Sequence, residues 1–319
     1  MKIVVSDCDH ESMKIEKDIL AAAGLDFDHK VARTEDEVIA QCKGGNIILN
    51  QYGKFDDRVF TALPEVKQIV RYGVGVDNID LEAATRHGVQ ICNVPDYGMH
   101  EVSDHALALM LSLIRKIPAT IDQTRRREWD FRQMAPIRRI TDMTIGVLGG
   151  GRIGGLFAKK ALPLAKEVIV FDPYKTELEA ATPGVKQVDF EELLSKADVL
   201  SIHCPLSDET RGLISAEALK RMKPGAIIIN TARGGIVDEA ALAEQLLSGA
   251  LGGAALDCIS KEPITQDSPL LDMANVFITP HMAYYSEESS QELKRKVAEE
   301  AVRFAKGEPV HYPVNKPAV

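Results

Sequence analysis

The stretch Thr144-Ile145-Gly146-Val147-Leu148-Gly149-Gly150-Gly151-Arg152-Ile153-Gly154 decides the fold. Thr144–Leu148 reads as a buried strand, and Ile153–Leu164 carries a helical pattern. Between them Gly149, Gly151 and Gly154 spell G-x-G-x-x-G. In that context the first glycine permits a tight turn and the second lets backbone approach a pyrophosphate. The third lets helix and strand pack closely. The helix start then turns its unpaired N–H groups towards phosphate oxygens. The next strand, Val168–Phe171, ends at Asp172, 18 residues after Gly154. A carboxylate there accepts hydrogen bonds from ribose hydroxyls and repels a 2′-phosphate, which predicts NAD rather than NADP.

Outward from this loop the alternation continues. Strands are predicted at Val199–Ile202, Ala226–Ile229, Gly253–Leu256 and Val276–Thr279, with helices at Glu191–Ser195, Ala216–Met222 and Glu239–Leu247. Asp238 can cap the last helix and Gly249 can lie just past its end. Towards the N-terminus, strands are predicted at Ile3–Val5, Ile47–Leu49, Gln68–Val70 and Gln90–Cys92. Helices are expected at Ser12–Ala23, Glu35–Gln41 and Leu81–Arg86. Strand–helix alternation implies parallel sheets covered on both faces. Val102, Ala106, Leu109, Met110, Leu113, Ile114 and Ile117 line one helical face, which Pro118 is expected to end. Thr124–Thr141, with the single tryptophan Trp129, reads as a surface crossing or an oligomer contact. Ser289–Lys306 is helical in pattern and is expected to fold back onto the first domain.

At 319 residues the chain has room for two domains of ~100–200 residues each. With 38 Lys and Arg against 47 Asp and Glu, the formal charge is −9, which argues against non-specific nucleic-acid binding. The five cysteines, Cys8, Cys42, Cys92, Cys204 and Cys258, form no CxxC and read as reduced thiols. No secretory signal or membrane-spanning stretch is legible, so a cytoplasmic protein is expected. Asp7, Asp9, His10 and Glu11 read as caps of the following helix rather than metal ligands, and no metal is expected.

Three further segments carry a resemblance: Asn230-Thr-Ala-Arg-Gly-Gly-Ile-Val-Asp238, Ala255-Leu-Asp-Cys-Ile-Ser-Lys-Glu-Pro263 and Thr279-Pro-His-Met-Ala-Tyr-Tyr-Ser286. Together with the glycine loop, Arg71-Tyr-Gly-Val-Gly-Val-Asp-Asn78, Val102-Ser-Asp-His-Ala-Leu-Ala108 and His203-Cys-Pro-Leu206, they resemble the D-isomer-specific 2-hydroxyacid dehydrogenase family. The resemblance covers nearly the whole chain. Its Pro-His-x-Ala-x-Tyr-Ser pattern is most similar to the branch holding the C-terminal-binding-protein corepressors and their bacterial relatives. Phosphoglycerate dehydrogenases are more distant members on that reading, and Tyr284 stands where the corepressors carry tryptophan.

The family implies an α/β chain of two doubly wound parallel-sheet domains with a cleft between them. A Rossmann NAD-binding domain, 100–285, is inserted into a discontinuous flavodoxin-like substrate domain, 1–99 and 286–319. The helix around Val102–Lys116 and the following crossing are implied to build a homodimer. NAD is implied to lie over Arg152 and Ile153, with Asp172 on its ribose. Cys204 and Pro205 are implied beside it, and Thr231, Ala232, Arg233, Asp257 and His281 along the nicotinamide half.

The chemistry of a 2-hydroxy acid assigns roles to individual residues. His281 is the candidate acid and base, since imidazole exchanges protons near neutral pH. Glu262 is the partner that fixes its tautomer and favours imidazolium. Arg233, at the carboxyl end of a strand, offers a planar fork to carboxylate and carbonyl oxygens. Gly73, Val74 and Gly75 follow a strand, and the family resemblance implies that their N–H groups cradle the carboxylate. Tyr284 and Met282 are expected to line a moderately apolar pocket. The polar, uncharged Asn50-Gln51-Tyr52 and the absence of a Lys and Arg cluster near Gly73–Gly75 lean against 3-phosphoglycerate. The leading expectation is an NAD-dependent dehydrogenase. The alternative is an NAD(H)-sensing dimeric binding protein of the corepressor type.

Overall fold

The computed structural model describes residues 1–10, 12–175, 177 and 182–317. The chain divides into two compact units, Met1–Gly98 with Ser286–Val319, and Met99–Tyr285. Both are built on parallel sheets with helical crossovers.

The first unit holds β1 (Ile3–Val5), β2 (Phe27–His29), β3 (Ile47–Asn50), β4 (Gln68–Arg71) and β5 (Gln90–Cys92), in the order β2-β1-β3-β4-β5. This is the flavodoxin-like order, which changes direction between β1 and β3. Val4, Ile48, Ile69 and Ile91 lie on one face with Val38, Val59 and Phe60 of the covering helices. The helix Glu287–Ala305 returns to this unit and packs on the helix Lys14–Ala22.

The second unit holds β6 (Thr144–Leu148), β7 (Glu167–Phe171), β8 (Val185–Gln187), β9 (Val199–Ile202), β10 (Ile227–Asn230), β11 (Gly253–Leu256) and β12 (Val276–Ile278). Their order is β12-β11-β10-β9-β6-β7-β8. That is the Rossmann order with one added strand, and its direction changes between β9 and β6. Side chains alternate between faces. Ile228 packs with Leu200, Leu256, Leu242 and Leu246 on one side. Its neighbour Ile229 packs with Val147, Leu109, Met110 and Phe157 on the other. Burying such an aliphatic side chain contributes about 1.5–3 kcal/mol, so continuous apolar strands specify a sheet covered twice.

Helix starts follow their caps. Thr34 and Glu37 form a capping box, and Asp56, Asp80, Asp189, Ser215 and Asp238 each accept an N–H of the first turn. Two expectations, on Pro118 and on the residues before the first helix, need correction. Pro118 does not end the helical stretch. Lys116 takes a left-handed conformation after the helix Met99–Ile114, and Pro118 opens a second helix, Ile117–Arg125, where its missing N–H costs nothing. The crossing Thr124–Thr141 holds two short 3₁₀ turns, Phe131–Met134 and Ile140–Asp142. Asp7 and Asp9 do not cap the following helix. Its cap position, Met13, makes no side-chain cap bond. Asp7 is buried and accepts the N–H groups of Gln51, Tyr52 and Gly53, while Asp9 pairs with Arg33. Glu11 lies outside the described residues.

Asp198 ties the start of the second sheet together. Its buried carboxylate accepts the Thr144 N–H at 2.8 Å, Arg138 at 2.7 Å and Lys223 at 3.2 Å. Burial pushes the carboxyl up, but the Thr144 N–H and the two cations outweigh it and hold it below the usual range. Because Arg138 and Lys223 are largely solvated, most of the loss in Asp198→Asn comes from the weakened backbone bond. The cost is about 1–3 kcal/mol in a denaturant titration at neutral pH. The folded carboxyl lies below its unfolded value near 4, so this contribution is complete above about pH 4. It fades as pH falls through the folded value, where wild type and variant converge.

Candidate active site

The glycine loop lies where strand direction changes in the second sheet. Gly149 follows β6 with φ +94°, and a Cβ there would lie 2.7 Å from the backbone nitrogen of Cys204, just past β9. A Cβ on Gly154 would lie 1.9 Å from the Gly149 carbonyl oxygen. Neither position admits a side chain. Gly151 faces open space and caps the helix Arg152–Ala161 without a side-chain bond, leaving its first N–H groups for a ligand. His203, beside this loop, bonds Ser201 at 2.8 Å and packs on Phe157. Desolvation pushes its imidazole down to about 3, so it is a neutral structural group.

Asp172 follows β7. One carboxylate oxygen accepts the Gly150 N–H at 2.8 Å and the other the Tyr174 N–H at 2.9 Å. The acid is thereby fixed against the glycine loop, with further lone pairs for ribose hydroxyls. The Tyr174 hydroxyl bonds Glu209, a second acid on this edge. Thr231 supplies another polar group, since its buried hydroxyl has no hydrogen-bond partner. The bare glycine cradle, the uncapped helix start, the fixed acid and this orphaned hydroxyl fit a dinucleotide.

The reactive side chains follow β10, β11 and β12. Asn230 ends β10, and its buried amide donates to the Arg233 carbonyl and accepts the Ala232 N–H, which shapes the arginine turn. The Arg233 guanidinium donates to the Ala232 carbonyl at 2.8 Å. Gly234 packs on the Ile259–Ser260 backbone, where a Cβ would lie 1.9 Å from the Ile259 carbonyl carbon. This contact joins the arginine turn to the loop after β11. The Cys258 thiol, also buried, reaches the Ala232 carbonyl at 3.4 Å.

Glu262 and His281 meet across parallel strand ends. His281 Nδ1 lies 2.7 Å from a Glu262 oxygen, and the other oxygen accepts the Ile259 N–H at 3.1 Å. Burial would raise the Glu262 carboxyl. The His281 hydrogen bond and charge, the Ile259 N–H and Arg233 reverse that and hold it low. Glu262 is therefore a carboxylate at neutral pH. Each side chain is about one-third exposed, so solvent reaches the pair.

Asp257 holds the histidine loop. Its buried carboxylate accepts the Thr279 hydroxyl at 2.6 Å, the Met282 N–H at 3.0 Å and the Ala283 N–H at 2.9 Å. Its carbonyl accepts the His281 N–H at 2.9 Å. These bonds hold His281 at φ +52°, a conformation uncommon for a residue with a side chain. His105 joins through Thr279 at 3.1 Å. Neither His105 nor Asn230 stands out in the sequence, because Asn230 acts by shaping backbone and His105 by bonding the Thr279 hydroxyl, roles that residue type and spacing do not reveal.

In the first unit, Gly73, Val74 and Gly75 follow β4. A Cβ on Gly73 would lie 1.7 Å from Arg71 Nη1, so a guanidinium covers this turn. Asn50, Gln51 and Tyr52 are held by Asp7, and Tyr52 packs under Arg33. Tyr284 is half-buried, and Met282 is exposed.

Residues 107–283 match the family described as D-isomer specific 2-hydroxyacid dehydrogenase, NAD binding domain. The chain belongs to the D-isomer-specific 2-hydroxyacid dehydrogenases, and its second unit carries their NAD-binding domain. A D-3-phosphoglycerate dehydrogenase of Archaeoglobus fulgidus is 39% identical over 303 residues, 95% of this chain and 57% of that protein. One of Methanocaldococcus jannaschii is 37% identical over 325 residues, 100% of this chain and 60% of that protein. The chain spans about half to three-fifths of the length of the curated relatives it matches. These matches put it on the phosphoglycerate-dehydrogenase-like side of the family. The structure of an Aquifex aeolicus D-lactate dehydrogenase complexed with NAD and lactic acid superposes with a TM-score of 0.91 at 26% identity, covering 100% of both chains. Among the described residues, no helix is long and apolar enough to cross a membrane.

Proposed function

We propose that this chain interconverts a D-2-hydroxy acid and its 2-oxo acid with NAD, using Arg233, Glu262 and His281. The observation that carries this reading is the 2.7 Å contact between His281 and an ionised Glu262, on loops adjoining the arginine turn. NAD, when bound, accepts or supplies the hydride. Arg233 holds the substrate carboxylate and polarises the carbonyl. Glu262 keeps a proton on Nδ1, which leaves Nε2 to exchange a proton with the substrate oxygen. In reduction the imidazolium gives that proton; in oxidation the neutral ring takes it. Solvent recharges the exposed imidazole.

The N–H groups of Gly73, Val74 and Gly75, with Tyr284, complete the proposed substrate contacts. A homodimer is part of the same reading. Trp129 and Phe131 are 92% and 86% exposed in the single chain, an apolar pair suited to a partner copy.

The test is NADH consumption against glyoxylate, hydroxypyruvate, pyruvate, phenylpyruvate, oxaloacetate, 3-phosphohydroxypyruvate and sulfopyruvate. Turnover of one of them is expected. Tight NADH binding with no turnover of any would favour the cofactor-sensing alternative. Cofactor choice is tested at Asp172. Asp172→Ala removes a charge that repels a 2′-phosphate, so the preference for NADH over NADPH should shrink about 10–100-fold. The KM for NADH should also rise, because the Gly150 and Tyr174 N–H groups lose their acceptor. An unchanged preference would remove Asp172 from the ribose site.

A further inference from the structure

Cys258, Glu262 and His281 bring a thiol sulfur, a carboxylate oxygen and an imidazole nitrogen within 4.8 Å of one another. The proposed reaction uses the carboxylate and the imidazole and leaves the thiol without a part. We propose that these three side chains form a site for a zinc-class divalent cation, and that filling it switches the enzyme off. The switching half rests on the proton-transfer role given to His281; the binding half does not.

The donor set argues for the class of ion. Mixed sulfur, nitrogen and oxygen donors suit zinc and its heavier congener cadmium, whereas magnesium and calcium take oxygen alone. Three protein donors with one open position is the arrangement of an accessible zinc centre. Donors around a tetrahedral zinc ion lie about 3.3–3.8 Å apart; the three atoms lie within 4.8 Å of one another, and the 2.7 Å contact between His281 and Glu262 opens as the ion replaces the proton they share.

The backbone already supports that geometry. The Cys258 thiol is anchored at the Ala232 carbonyl, the Ile259 N–H holds one Glu262 oxygen, and Asp257 fixes the His281 loop. Glu262 and His281 are partly exposed, which gives an ion a route in.

Binding involves no change of oxidation state. The thiol releases its proton to solvent as sulfur bonds the cation, and the imidazole binds as the neutral ring through a nitrogen lone pair. A metal-bound neutral imidazole has no second proton to give near neutral pH and no free lone pair to accept one. The cation therefore competes with the proton that reduction needs.

The experiment is a cadmium titration of the full chain after chelator treatment, read by the thiolate-to-cadmium charge-transfer band. Zinc inhibition of 2-oxo acid reduction is measured in parallel. Wild type should show the band saturating at one equivalent and inhibition reversed by EDTA. Cys258→Val should abolish the band and raise the zinc concentration for half-inhibition about 10–100-fold, with metal-free activity retained. Cys258→Ser, which keeps the shape of the site, serves if the valine variant folds poorly, and should likewise lose the band. A band that survives in both variants, or that is missing from wild type, overturns the site. A band lost with Cys258 but unaccompanied by inhibition leaves the site standing and overturns the switch, and with it the role given to His281.

Discussion

His281→Asn lowers kcat for 2-oxo acid reduction by about 10²–10⁴-fold, while NADH affinity, followed by fluorescence, stays within about twofold. Asparagine is the informative substitution because His281 sits at φ +52°. Asn tolerates that conformation, whereas alanine would add backbone strain to the loss of the imidazole. The Asp257 bonds to the Met282 and Ala283 N–H groups and the Asp257 carbonyl bond to residue 281 survive the change. The loop therefore keeps its course, and the loss reports proton transfer. Glu262→Gln removes the carboxylate that holds the His281 ring at Nδ1, so kcat for reduction should fall as well. Near-normal turnover in His281→Asn, with chemistry shown to be rate-limiting, would dismiss His281 as the proton carrier.

The parts of this molecule legible in its sequence are those where chemistry constrains residue type directly. Gly149 and Gly154 must be glycine because backbone lies where a side chain would stand. Apolar runs such as Ile228-Ile229 announce themselves because both neighbours are buried on opposite faces. The edge strands Phe27–His29 and Val185–Gln187 are not legible because each is three residues long and partly solvated, with no apolar run to read. The helix Asp57–Ala62 was missed because Val59 and Phe60 alone turn inward. Pro118 misled because a proline that breaks a helix in its interior opens one in its first turn.

The site divides in the same way. Arg233, Glu262 and His281 are visible as residue types in motifs. The pairing of Glu262 with His281 depends on β11 and β12 running parallel and side by side, so that their following loops meet. The work of Asn230 and Asp257 on the backbone is hidden from sequence altogether. It becomes visible only when a buried side chain is asked where its hydrogen bonds go.

That backbone scaffolding makes Arg233→Lys a sharp probe. Asn230 holds the Arg233 carbonyl, and Gly234 is packed on the loop after β11, so the main chain at 233 has little freedom to follow a shorter reach. Lysine keeps the positive charge and the neighbouring charge on Glu262, but it presents one ammonium where arginine presents a planar fork. If Arg233 holds carboxylate and carbonyl oxygens together, at least one charged hydrogen bond is lost and the other misaligned. The expected penalty is about 3–4 kcal/mol, or 10²–10³-fold in kcat/KM. The division of that loss is informative. A rise in KM alone would mean that Arg233 grips the carboxylate equally in ground and transition states. A fall in kcat with little change in KM would mean that its main contact is with the oxygen on which charge develops. Arg233 is one of the groups that keep the Glu262 carboxyl low, and lysine keeps a positive charge there, so Glu262 stays a carboxylate in the variant. Activity within a few-fold of wild type would show that a point charge suffices and would take the bidentate role away from Arg233.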